Sequence, residues 1–91
     1  MEPSVKKEIE TLKLMMRNWR TGFKTWHQPG VDNSYILKEF HEEISDQLLP
    51  YVGRLMQMEH LTHEEACKLM DECYAEVDKL EKELEELDGG V

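Results

Sequence analysis

The sequence predicts an all-α protein: a three-helix up-down-up bundle with heptad-like apolar seams, its second helix kinked or split at Pro50. Two observations carry most of that expectation. In the first third, Val5, Ile9, Leu12, Met16, Trp19, Phe23 and Trp26 recur at alternating spacings of four and three residues. In the last third, Ala66, Met70, Cys73, Val77, Leu80, Leu84 and Leu87 repeat the same alternation. That spacing keeps one apolar stripe on one face of a helix packed lengthwise on others. A third observation is compositional. With 40% hydrophobic and 34% charged residues, 3 prolines and 5 glycines, the chain matches soluble, charge-rich helical proteins, and its 91 residues suit one domain spanning 1–91.

The first helix is expected over about 4–27. Ser4 stands behind Pro3 as a candidate N-cap, "HQPG" supplies the stop, and Gly22 is the weak residue inside. The second is expected over about 34–59, capped by Asn33 or Ser34 after the turn-forming "QPGVDN". Its seam, Leu37, Phe40, Ile44, Leu48, Tyr51, Leu55 and Met58, contains two successive steps of four just before Pro50. The Pro50 ring there meets the carbonyl of Asp46, so a kink or a division into two helices is expected. The third helix is expected over about 63–88. Thr62 and Glu65 form a capping box, Leu61 and Ala66 a hydrophobic staple, and "DGG" ends it. Short connections make neighbours antiparallel, so the first and third helices run parallel.

Charge is uneven in a chain of net charge -9: residues 1–27 carry +3, residues 28–58 carry -3 and residues 59–91 carry -9. The most cationic stretch, "RNWRTGFKTWHQPG", is also the most aromatic. Cations beside π faces suit phosphates or anionic lipids. Here, however, Trp19, Phe23 and Trp26 complete the seam, while Lys6, Lys13 and Arg20 fall on one of its edges, opposite Leu69, Glu76 and Glu83. The stretch therefore reads as core with a cationic rim. No nucleic-acid partner is expected from so anionic a chain. Leu14, with Met15 beside it, lies away from the seam and forms a small exposed apolar spot.

His60, His63 and Cys67 are the candidates for a zinc or thiol-redox site, since His63 and Cys67 share a helix face and His60 precedes the cap. Cys73 faces the seam, no CxxC pair exists, and the set is incomplete; no metal or cofactor is expected, and no catalytic residue. The two cysteines lie on different faces, so no internal disulfide forms. Reduced thiols, together with no apolar run of the roughly 20 residues a span needs and no signal-like start, suggest a cytoplasmic protein without membrane association.

Asp71, Glu72, Asp78, Glu85 and Glu86 lie away from the third seam and are the candidate partner-binding residues. Pairs such as Asp78/Lys82 and Glu64/Lys68 support the helix locally. The expected function is a small helical protein–protein interaction module, a regulator, adaptor or inhibitor, engaging a partner with a basic surface. An acidic mimic of nucleic acid, inhibiting a DNA- or RNA-binding protein, is the alternative, and the zinc or thiol module the third. Apolar residues beyond the seams (Ile36, Leu49, Val52, Met56, Leu69 and Tyr74) call for either a homodimer or a wide core.

Overall fold

The computed structural model describes residues 2–89. Four α-helical segments, α1 (Pro3–Lys24), α2 (Ser34–Glu43), α3 (Leu49–Gln57) and α4 (His63–Gly89), build an all-α rod of 48 × 20 × 18 Å. A π-helical turn, Ile44–Leu48, joins α2 to α3, so helix runs without interruption from Ser34 to Gln57 and the rod has three helical layers. The side-chain contacts Lys13–Glu72 and Arg20–Glu83, and His27–Asp88 just beyond the end of α1, advance in step with α4. Contacts of α1 with the middle helix, Phe23 on Phe40 and Glu8 on Tyr51, run in the opposite order.

Pro50 is accommodated by a wider turn. The Leu49 amide donates to the Ile44 carbonyl five residues back, the signature of a π bulge. This changes which residues face inward. Ile36, Phe40, Ile44, Leu48 and Val52, four apart throughout, are each at most 3% exposed. On a uniform α-helix every four-residue step gains about 40°, and five such positions would wind off the core; the π turn, with more residues per turn, takes back part of the drift. The expected seam is corrected accordingly. Leu37 and Tyr51 are only partly buried, and Met58 is 63% exposed.

Two further expectations are corrected at helix ends. Glu2 precedes the first helical residue with extended backbone and Pro3 takes the first position, where a missing N–H costs nothing; Ser4 lies inside the helix. α1 then stops at Lys24 instead of residue 27, with the Thr25 hydroxyl donating to the Gly22 carbonyl at 2.6 Å. Asn33 does sit at the start of α2, but its side chain caps nothing. It accepts from the Gln28 amide and donates to the carbonyls of Gln28 and Val31, closing the connecting loop from inside. Gly30 takes the left-handed φ of 78° that this loop requires.

α3 ends in a Schellman arrangement: the His60 amide donates to the Leu55 carbonyl and Glu59 to Met56, with Glu59 at φ 61°. α4 begins with the expected capping box. The Thr62 amide donates to Glu65 Oε1 at 2.9 Å and the Glu65 amide to Thr62 Oγ1 at 3.1 Å, while Leu61 and Ala66 are buried beneath it. The two amide and hydroxyl contacts from Thr62 hold the Glu65 carboxyl below its ordinary pKa. Thr62→Ala is expected to lower stability by about 1 kcal/mol; an unchanged urea midpoint would mean the cap contributes nothing to holding α4. Of the expected glycine stop, Gly89 closes α4 and Gly90 lies outside the described residues.

Ile36, Val52 and Leu69, counted as surplus from sequence, all belong to the core, so the wide-core alternative accounts for them. Leu49 and Met56 stay exposed at 50% and 36%.

Candidate interaction surface

The three clefts between helices have different chemistry, and the cationic rim explains the first. Between α1 and α4, Lys13 Nζ lies 2.8 Å from Glu72, Arg20 bridges Glu76 and Glu83, Lys24 reaches Glu83 at 2.9 Å, and His27 Nε2 lies 2.6 Å from Asp88. Heptad spacing on two parallel helices brings these charges edge to edge. Of the expected rim, Arg20 meets both Glu76 and Glu83, Lys13 meets Glu72 instead of a residue of the matching edge, Lys6 has no ion-pair partner among the described residues, and Leu69 is buried in the core.

The basic, aromatic stretch divides in two. Phe23 packs against the core and stacks on Phe40 with centroids 5.3 Å apart. Trp19 is partly buried and packs on the same core. Trp26, expected in the seam, lies beyond the end of α1, is 46% exposed, and rests edge-on against Phe23 and stacked on Tyr35. A seam requires a helix, and the helix has ended two residues earlier.

The five candidate partner-binding residues are all exposed, but they do not form one cluster. Asp71, Asp78 and Glu85, one heptad apart, make a row rising about 10 Å per step along the outer face of α4. Among the described residues none of the three has an ion-pair partner. Glu72 is one residue, about 100°, further round and is drawn into the rim by Lys13. Glu86 is offset from Glu85 by the same angle. Lys68 and Lys82 interrupt the outer face, yet neither closes its expected pair with Glu64 or Asp78; the short-range pairs present are Lys79 with Glu76 at 3.0 Å and Lys38 with Glu42 at 4.0 Å.

His63 and Cys67 do come together, Nε2 to Sγ 3.6 Å, on the exposed first turns of α4. His60 lies in the preceding turn, and among the described residues no group of three His, Cys, Asp or Glu side chains is arranged to hold a metal ion. Cys73 is 1% exposed, and burial pushes its thiol up to about 11, keeping it an uncharged core group. Both cysteines are unbridged.

The cleft between α1 and the middle helix is a groove of about 630 Å³ that includes Met15, Trp19, Leu48, Tyr51 and Arg54, residues that the sequence assigns to seams or their margins, Arg54 apart, without bringing them together. The doublets Met15-Met16, Leu48-Leu49 and Tyr51-Val52 were the available signal: two adjacent apolar residues on a helix widen its apolar face beyond one seam. A smaller apolar groove of about 310 Å³ lies between α3 and α4, with Leu49 and Met56 at its lip. No helix among the described residues is long and apolar enough to cross a membrane.

No protein-family model, no curated protein and no solved structure matches this chain.

Proposed function

We propose that the protein is a small helical interaction module, acting as a regulator, adaptor or inhibitor by occupying the surface of a partner protein that presents basic groups. The observation that carries this reading is the division of acidic residues on α4. Those facing α1 (Glu72, Glu76, Glu83 and Asp88) are engaged internally, whereas Asp71, Asp78 and Glu85 stand in an exposed row without a counter-ion among the described residues. Such a row on a rigid rod attracts a cationic surface and fixes its register. Glu86 flanks the row and Glu72 is the weakest member, being held by Lys13.

Spacing disfavours the nucleic-acid mimic. Duplex DNA carries a charge roughly every 1.7 Å of axis, against one carboxylate about every 10 Å in this row, with Lys68 and Lys82 interspersed. The zinc or thiol reading has only the His63–Cys67 contact behind it, and we assign no catalytic role. Two unbridged thiols support a reducing compartment such as the cytoplasm.

The test is a charge reversal, Asp71→Lys with Asp78→Lys and Glu85→Lys, compared with wild type in affinity capture from the native host. Captured proteins are then purified and titrated at several salt concentrations. The reversal is expected to keep the unfolding midpoint at or above wild type, because it eases self-repulsion. It is also expected to weaken the complex roughly tenfold or more, chiefly through slower association, and to flatten its salt dependence. Undiminished binding by the reversed protein refutes the assignment of this face.

A further inference from the structure

We propose that the groove between α1 and the middle helix docks an acidic amphipathic helix of a partner protein, a surface separate from the α4 row and independent of the reading above. Its floor is apolar: Leu12, Met15 and Trp19 from α1 face Leu48 and the Tyr51 ring from the π turn and α3. From Ser4 to Trp19 the α1 wall runs for about 22 Å, four helical turns, the length over which i, i+3, i+4 and i+7 anchors seat in a helix-binding groove. Methionine beside an aromatic ring makes a floor that adapts to differently shaped anchors.

Charge selects the occupant. Lys7 on one wall and Arg54 on the other have no carboxylate partner among the described residues, while Lys13, Arg20 and Lys24 on the other flank of α1 are all paired with α4. The one carboxylate in the groove, Glu8, accepts the Tyr51 hydroxyl at 2.9 Å and ties the two walls together. Arg54 lies 6.0 Å from the centre of the Tyr51 ring, which holds its guanidinium at the groove.

Both cations stand toward the end of the groove formed by the start of α1, so the docked helix places its carboxylates there and its largest apolar side chains toward Trp19. Acidic residues belong naturally in the first turn of such a helix. The acidic row belongs to α4, which forms neither wall of the groove; Asp71 alone of the three borders α3, through the smaller α3/α4 groove, and exposed charges beyond the Debye length of about 8 Å at physiological salt are largely screened.

The experiment uses Trp26→Phe protein, in which Trp19 is the sole indole. Two capped synthetic helices of about 18 residues serve as probes, identical in their Leu stripe and carrying either Glu or Lys on its flanks. The Glu peptide is expected to shift Trp19 emission saturably and to bind roughly tenfold or more tightly than the Lys peptide. Lys7→Glu with Arg54→Glu, checked for an unchanged melt, reverses that preference, and Lys7→Ala with Arg54→Ala abolishes it. The α4 charge reversal leaves Glu-peptide affinity within about twofold, because α4 contributes no residue to the groove and distant, solvent-screened sites act independently. Absence of saturable binding, or equal affinity for both peptides, overturns the proposal. So does a protein dimer in sedimentation velocity whose dilution alone shifts Trp19 emission, which assigns the groove to a second copy.

Discussion

Phe40→Ala is expected to remove about 3–5 kcal/mol of stability, a large fraction of the roughly 5–15 kcal/mol that holds a domain folded. Phe40 is completely buried, lies in the four-residue stripe that crosses the π turn, and stacks on Phe23 at an interplanar angle of 28°. Truncation loses the transfer free energy of the ring and leaves a cavity lined by helix positions that relax only partly. In urea titration the midpoint should fall with little change in slope. Trp26, though larger, offers a contrast: at 46% exposure its contacts are with Phe23 and Tyr35 at one end of the rod, so it contributes far less than Phe40. A loss below about 1 kcal/mol for Phe40→Ala would mean that α2 is not anchored through this ring, since even a conservative core truncation costs that much.

The difference between those two aromatics also separates what is legible in the sequence from what is not. Where one rule governed a segment, the reading carried through. The capping box at Thr62 and Glu65 and the seam from Ala66 to Leu84 depend only on local geometry, with Val77 partly buried; the last expected seam residue, Leu87, is instead 43% exposed. The stripe of the middle helix was misplaced by one residue at Leu37 and Tyr51, because a single π turn changes the period for everything around it. The doubled step of four before Pro50 marks a break in the period there, but spacing does not say that the break takes the form of a π turn. Trp26 was placed in a seam because spacing cannot tell where a helix stops; the end is set by the Thr25 and Gly22 contact and by the Asn33 side chain closing the loop.

Sites follow the same division. A row such as Asp71, Asp78 and Glu85 is a property of one helix and can be read from spacing. The α1 groove is a property of two, since it exists only where Met15 and Trp19 meet Leu48 and Tyr51 across about 630 Å³. Likewise, sequence could offer five acidic residues but not sort them, because Glu72 leaves the set only when Lys13 arrives from another helix.

The rim is the place where interhelical charge was legible, and it sets the second large effect. Arg20→Met is expected to destabilise the protein by about 2–3 kcal/mol, somewhat less than the 3–5 typical of breaking a fully buried pair. The Glu76 side chain is only 9% exposed, held by Arg20 from α1 and by Lys79 at 3.0 Å from its own helix. Removing Arg20 leaves that carboxylate with Lys79 alone and also releases Glu83, which Lys24 still reaches. Because Arg20 is itself 23% exposed, water supplies part of the lost solvation, hence the discount. Adding Glu76→Met removes the stranded charge and places two flexible apolar side chains in the α1/α4 cleft. The double variant should therefore return to within about 1 kcal/mol of wild type or exceed it, as replacements of buried pairs commonly do. A double-mutant cycle by chemical denaturation measures this directly. If the second substitution adds to the first instead of rescuing it, Glu76 contributes through packing or through Lys79, and the Arg20 bridge is a surface ion pair of the kind Lys38 makes with Glu42.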